Sequence, residues 1–167
     1  LQVWAVDSAA QVRREDTPGP EIKENRIVLD ASRNGFTSGQ FAVRSAQPLE
    51  GLSIRVSRLK GPGRAQIPSS QVRVGFVGYV EVGASQGGWG DKHHFGQMPD
   101  PLLEVERLDV AANQTQPVWL TFNVARTVPP GKYRGKVTVM AGGKRRATLP
   151  VELNVDAFIL PDPEDYS

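Results

Sequence analysis

The sequence predicts an all-β domain: an antiparallel β-sandwich of about seven to nine strands, immunoglobulin-like or jelly-roll-like, with a closed barrel as the alternative. Three observations point there. Apolar residues recur with period two in segment after segment, and no window of about ten residues holds a clean 3.6-residue apolar period. Thirteen prolines and seventeen glycines also interrupt the chain at short intervals. Strands that are apolar on one face must bury it against a second sheet. With 167 residues the chain can do so, because a domain near this size buries about two thirds of the surface its unfolded chain exposes.

Taken in order, a short first strand runs around Val3 to Val6, pinned by Trp4. KENRIVLDAS turns Ile27 and Leu29 to one side, and FAVRSA does the same with Phe41 and Val43. In LSIRVSRLK, Leu52, Ile54 and Val56 face inward, with Leu59 one position out of phase, while Ser53, Arg55 and Ser57 face water. VRVGFVGYVEV is long: Val72, Val74, Phe76, Val80 and Val82 are assigned to one face, and Gly78 marks a bulge or a close approach. Residues 83–104, GASQGGWGDKHHFGQMPDPLLE, read as the one long irregular stretch, of a length that goes with function or mobility in compact domains. PVWLTFNVA points Val118, Leu120, Phe122 and Val124 inward and sets Trp119 on the opposite face. RTVPPGK is a tight turn. GKYRGKVTVMA brings Tyr133, Val137 and Val139 into register with Gly135, and Gly142-Gly143 supplies the positive φ values of a hairpin. The return strand carries Leu149, Val151, Leu153 and Val155 inward. Pro150, on its polar phase, removes a ladder donor and so predicts an edge or a bulge.

Composition narrows the function. There is no cysteine, so neither disulfides nor a thiolate metal site contribute. This leaves the compartment open, since an exported protein need not carry disulfides; a periplasmic or extracellular location is expected. Twenty Lys plus Arg against eighteen Asp plus Glu gives a net charge of +2. The positive residues are scattered, and the one dense run, Lys144-Arg145-Arg146, reads as a solvated turn rather than a nucleic-acid patch. No apolar stretch approaches a membrane span, and the N-terminal LQVWAVDSAA lacks the layout of a signal peptide.

No cofactor or metal is expected. His93 and His94 are the only histidines, and neighbours on an extended chain point opposite ways, so with Asp91 they form a poor chelate. Gly83-Ala84-Ser85-Gln86-Gly87 has the G-x-S-x-G spacing, but it does not stand between a buried parallel strand and a helix as a nucleophile elbow does, so a nucleophilic triad is not expected. The glycines of GASQGGWG do not stand between a buried parallel strand and a helix, so they do not cradle a phosphate. Asp100 and Glu104 are ordinary as a carboxylate pair, and Asp100, between two prolines, reads as fixing a turn through its own backbone. Trp89 stands out, set among glycines: a stacking platform for a sugar with Tyr79 or His94 beside it, a lid over a neighbouring domain, or a ring folded back on its own sandwich. Trp89, His93, His94 and Tyr79 are therefore the candidate carbohydrate-binding or interdomain residues.

Four stretches, ASRNGFTSGQFAVRS, PDPLL, QTQPVWLTFNVARTVPPGKYRGKVTV and LPVELNVDAFILP, resemble in that order the N-terminal domain of glycoside hydrolase family 123 and related bacterial proteins. The resemblance covers most of residues 24–161, and Gln116 to Val139 is its most specific part. It implies a β-sandwich followed by a (β/α)₈ barrel, with the junction at Phe158 to Pro161. It further implies that an Asp-Glu pair in that barrel cleaves β-linked N-acetylgalactosamine with retention, assisted by the substrate's acetamido group, so that no catalytic residue belongs to this chain. One departure stands out: the family usually carries a glutamate after the Arg-Asn pair, and this chain has Gly35 after Arg33-Asn34.

The expectation is a sandwich over residues 1–161 and a linker over 162–167 running toward a catalytic domain, the acidic tail being a cut or a domain boundary. The sandwich is expected to be non-catalytic and to pack on its own C-terminal catalytic domain, with an apolar patch near the last strand. A glycan is the further partner considered; nucleic acid and a membrane span are not expected. The rival readings are a free-standing carbohydrate-binding module, a structural immunoglobulin-like spacer of a surface protein and, last, an autonomous enzyme, which would need a carboxylate pair facing one pocket.

Overall fold

The computed structural model describes residues 1–19, 25–83 and 96–166, and within these twelve strands form two sheets around one core. The first sheet has the order β1 (Gln2–Val6), β3 (Gly35–Arg44), β10 (Thr115–Val124), β7 (Val72–Val82) and β8 (Gly96–Leu103). The second runs β2 (Ile27–Arg33), β12 (Lys144–Ile159), β11 (Gly131–Ala141), β4 (Leu49–Val56) and β9 (Leu108–Val110), with β5 (Leu59–Lys60) and β6 (Gln66–Ile67) attached beside β11. The sandwich is as the alternation predicts, and three of the strands beyond the expected number, β5, β6 and β9, are only two or three residues long. One pairing departs from the antiparallel rule: β12 and β2 run parallel, from Val151 opposite Ile27 to Val155 opposite Ala31.

The core follows the period-two assignments closely. Val118, Leu120, Phe122 and Val124 of β10 have no exposed surface, and neither do Tyr133, Val137 and Val139 of β11; Leu149, Val151, Leu153 and Val155 of β12 are also buried. The hairpin turn has Gly142 and Gly143 at φ of 57° and 70°, as a tight reversal of twisted strands requires. Pro150 stands opposite Lys136, one residue before pairing with β2 begins, so its missing N–H falls where β12 is locally an edge.

Two assignments are corrected. Val80 and Val82 are exposed, because β10 pairs with β7 only from Val72 to Phe76; beyond that point β7 runs on as a ribbon with β8. Within the stretch read as irregular, Gly96–Leu103 is strand β8, and Asp100 lies in that strand rather than in a turn. Its two prolines hid it, but β8 is the edge of its sheet, where a missing donor is tolerated. Gly78 marks a bulge, as predicted: the register slips so that Asp100 and Pro101 of β8 stand against Gly78 alone. A Cβ at position 78 would come 2.9 Å from Pro101 Cγ, so the approach needs glycine.

Residues 7–17 form a strap across the outer face of the first sheet. Gln40 Nε2 donates to Asp7 O and Ala10 O, both at 3.0 Å, and the Thr115 amide and hydroxyl donate to Arg14 O and Asp16 O at 2.8 and 2.5 Å. Beneath the strap, Trp4, Val12 and Ala42 form a second, small buried cluster.

One ion cluster ties the second sheet together. Glu152, nearly buried on β12, accepts from Lys132 Nζ at 2.7 Å and Arg134 Nε at 3.1 Å across the ladder. The Lys132 hydrogen bond, seconded by that of Arg134, holds its carboxyl below the usual carboxylate range against the opposing pull of burial. A depressed folded-state pKa contributes stability that is present above the unfolded value of about 4.3 and is lost as pH falls through the folded value. We therefore expect the stability gap between the native chain and Glu152→Gln to be constant near neutrality and to close on acidification below about pH 4. Urea unfolding of both chains across that range checks it, and a gap independent of pH would show the carboxylate is not the cause.

Candidate functional site

Of the residues singled out from sequence, Trp89, His93 and His94 lie outside the described residues. Tyr79 is on β7, where it holds the strap: its hydroxyl donates to Val12 O at 2.9 Å, and the Arg14 guanidinium carbon sits 4.3 Å from the ring centroid. Burial pushes its pKa up to about 12, with the Arg14 charge pulling the other way. Glu104 pairs with Arg73 at 3.4 Å on the surface. Among the described residues no three His, Asp or Glu side chains gather as a metal would require.

Two surface features carry chemistry. The first is a clasp where β12 ends. Ile159 pairs with Arg33, the Leu160 amide donates to Arg33 O at 2.9 Å, and Arg33 Nη2 donates to Ala157 O at 2.7 Å. Asn34, at φ of 61°, donates through Nδ2 to Leu160 O and to Asp162 Oδ1, and Arg126 meets Asp162 Oδ2 at 2.6 Å. The chain is thus tied down as far as Asp162. A Cβ on Gly35 would come 2.5 Å from Leu160 Cδ1, so the space into which the expected glutamate would project is filled by Leu160. Two open apolar side chains stand at this clasp, Phe158 at 61% exposed and Leu160 at 36%; Phe36, 73% exposed, follows Gly35 on the opposite face of β3, where it lines a hollow with Thr121 and Asn123.

The second feature is a cavity of about 280 Å³ on the outer face of the first sheet. The strap, from Ser8 to Val12, makes one wall, and Pro99, Asp100 and Leu102 of β8 make the other. Trp119 and Val77 form the floor, with Gln40 alongside. Register explains the grouping: Trp119 pairs with Gln40 on one side and with Gly75 on the other, and Val77 pairs with Leu102. Sequence alternation placed Trp119 on this outer face correctly, but the strap and the β8 wall had no signal in it.

A family model described as the glycoside hydrolase 123 N-terminal domain matches residues 6–141. No curated protein matches the chain. Among solved structures, a family 123 glycoside hydrolase from Clostridium perfringens, studied for glycolipid glycan hydrolysis, aligns with a TM-score of 0.80 at 16% identity. The alignment covers 98% of this chain and 28% of that one; it shows a shared fold, and this chain spans little more than a quarter of that enzyme's length. The N-terminal domain of PorA (TM-score 0.34, 11% identity, 94% of this chain and 99% of that one) is too distant in shape to carry an argument. So is the alkylpurine DNA glycosylase AlkC of Pseudomonas fluorescens (0.37, 12%, 78% and 29%).

Proposed function

We propose, on the premise that this chain belongs to the glycoside hydrolase 123 N-terminal domain family, that it is the non-catalytic sandwich of a β-N-acetylgalactosaminidase-like enzyme. Its role is to pack against and support the catalytic (β/α)₈ domain. The observation that carries this reading is the clasp: Phe158 and Leu160 lie open where the last strand ends. Neighbouring apolar side chains left open at a chain exit that is tied down are what a docked domain would cover. The hydrogen bonds from Asn34 and the Arg126–Asp162 ion pair hold the exit of the last strand in one direction. On this reading residues 162–167 lead from the sandwich to the catalytic domain in a fixed orientation. Trp89, His93 and His94 keep, within this proposal, the interdomain or glycan-contact role assigned to them from sequence.

Mixing the sandwich with the separately produced catalytic domain of the same enzyme tests the reading. A partner present at about 100 times its Kd stabilises by about 2.7 kcal/mol, which raises the melting temperature of a domain this size by several degrees. Phe158→Ser should remove most of the shift while leaving the isolated sandwich folded, as this side chain is exposed. Halves that neither associate nor alter each other's melting would refute docking.

A further inference from the structure

We propose that the cavity between the strap and β8 binds one pyranose unit of a glycan, with the Trp119 indole as stacking surface and Asp100 and Gln40 as acceptors for its hydroxyls.

The bulge is the first argument. Placing Asp100 and Pro101 against Gly78 alone shifts the phase of β8, and Asp100 and Leu102 both line the cavity. Bulges that redirect one side chain in this way recur beside functional sites. The floor is the second. On the outer face Trp119 has Gly75 as its neighbour on β7, and the space over Gly75 is taken by Leu102, whose Cβ lies 3.5 Å from where a Cβ at Gly75 would stand, so Leu102 bounds the cavity beside Trp119. Trp119 is half-buried and lines the concavity. An indole there suits the C–H face of a sugar ring, as it offers large contact area at little loss of rotamer freedom.

The polar groups then decide the class of ligand. Both Nε2 hydrogens of Gln40 go to Asp7 O and Ala10 O, so the amide has only its carbonyl oxygen left to offer. Asp100 is a carboxylate, which accepts and does not donate. Asp100 and the Gln40 carbonyl accept, while Ser8 and Gln11 on the strap also carry donors, so the lining suits a ligand whose groups both donate and accept. A pyranose combines such a hydroxyl edge with an apolar face, and a volume of about 280 Å³ lies at the small end of ligand pockets, which run from about 300 Å³ upward. A cationic side chain of a peptide would also satisfy the carboxylate, but one ring without flanking aromatics is a poor cage for a cation.

The test uses the 167-residue chain and the Trp119 indole N–H resonance, identified by its disappearance in Trp119→Phe. Methyl β-galactopyranoside, methyl N-acetyl-β-galactosaminide and methyl β-glucopyranoside are titrated separately, with argininamide as the cationic probe. We expect a saturable shift with at least one sugar in the millimolar range. Asp100→Ala, on an exposed edge strand, should weaken binding about tenfold or more, the usual loss for a hydrogen bond to a charged group. Trp119→Ala should abolish it, and Trp119→Phe, which keeps a stacking face and the fold, should retain part of it by saturation-transfer NMR. No saturable shift with any of the sugars, a response to argininamide alone, or sugar binding unchanged in Asp100→Ala and Trp119→Phe would each overturn the proposal. No catalytic domain is present in this measurement, so its failure would leave the docking reading untouched.

Discussion

Truncating Phe122 to alanine is expected to cost the fold about 3–5 kcal/mol, the usual loss for a buried phenylalanine. The side chain has no exposed surface and sits on β10, the central strand of its sheet, paired with β3 through Thr37 and with β7 through Val72. A ring in that position leaves a cavity its neighbours cannot close, since both flanking strands are held in register by their own hydrogen bonds. Against a total of about 5–15 kcal/mol for a domain, this is a large share, and part of the population could unfold at physiological temperature. Urea unfolding of Phe122→Ala and Phe122→Leu checks it: leucine, which keeps most of the volume, should recover most of the loss. A cost under about 1 kcal/mol for alanine, the range of surface changes, would mean the ring does not lie between the sheets.

That prediction could have been made from PVWLTFNVA alone, which shows what was legible. Alternation is a consequence of strand geometry, so a run of Val118, Leu120, Phe122 and Val124 declares its buried face without knowledge of any partner. The same reasoning failed at Val80 and Val82 because alternation says which face is apolar, not whether another layer extends far enough to cover it. Gly96–Leu103 failed for a different reason: a strand containing two prolines looks like a loop unless its place at a sheet edge is known. The candidate site was legible only in part. Trp119 was on the correct face, and the exposed Phe158 and Leu160 stand by the last strand, where an apolar patch was expected without residues being named. The cavity was not, because its walls meet through contacts remote in sequence, such as Gln40 with Asp7 and Ala10, and through a register slip that no composition encodes.

Glycines show the same limit, and Gly61→Ala gives the second large effect. A single methyl group at this position should destabilise the sandwich by about 1–3 kcal/mol, the cost of overpacking a filled core. Its φ is not positive, so backbone strain is not the reason. The added Cβ would instead fall onto the Tyr133 ring, 2.6 Å from Cδ1 and Cζ and nearer still to Cε1. Neither side can yield easily. Tyr133 is fully buried, with its hydroxyl donated to Pro129 O at 2.7 Å, while the Gly61 amide is donated to Ala65 O at 2.9 Å. On its other flank Pro62 packs over Gly131, its Cγ 3.0 Å from where a Cβ there would stand. A double-mutant cycle isolates the clash: in a Tyr133→Leu background the ring is gone, and Gly61→Ala should become much milder. Contacting residues couple by about 0.5–3 kcal/mol, whereas independent sites add within about 0.5 kcal/mol. Additivity in the urea midpoints would therefore place the cost of the methyl in the turn itself, and coupling would place it in the packing of β5 and its loop over the end of β11.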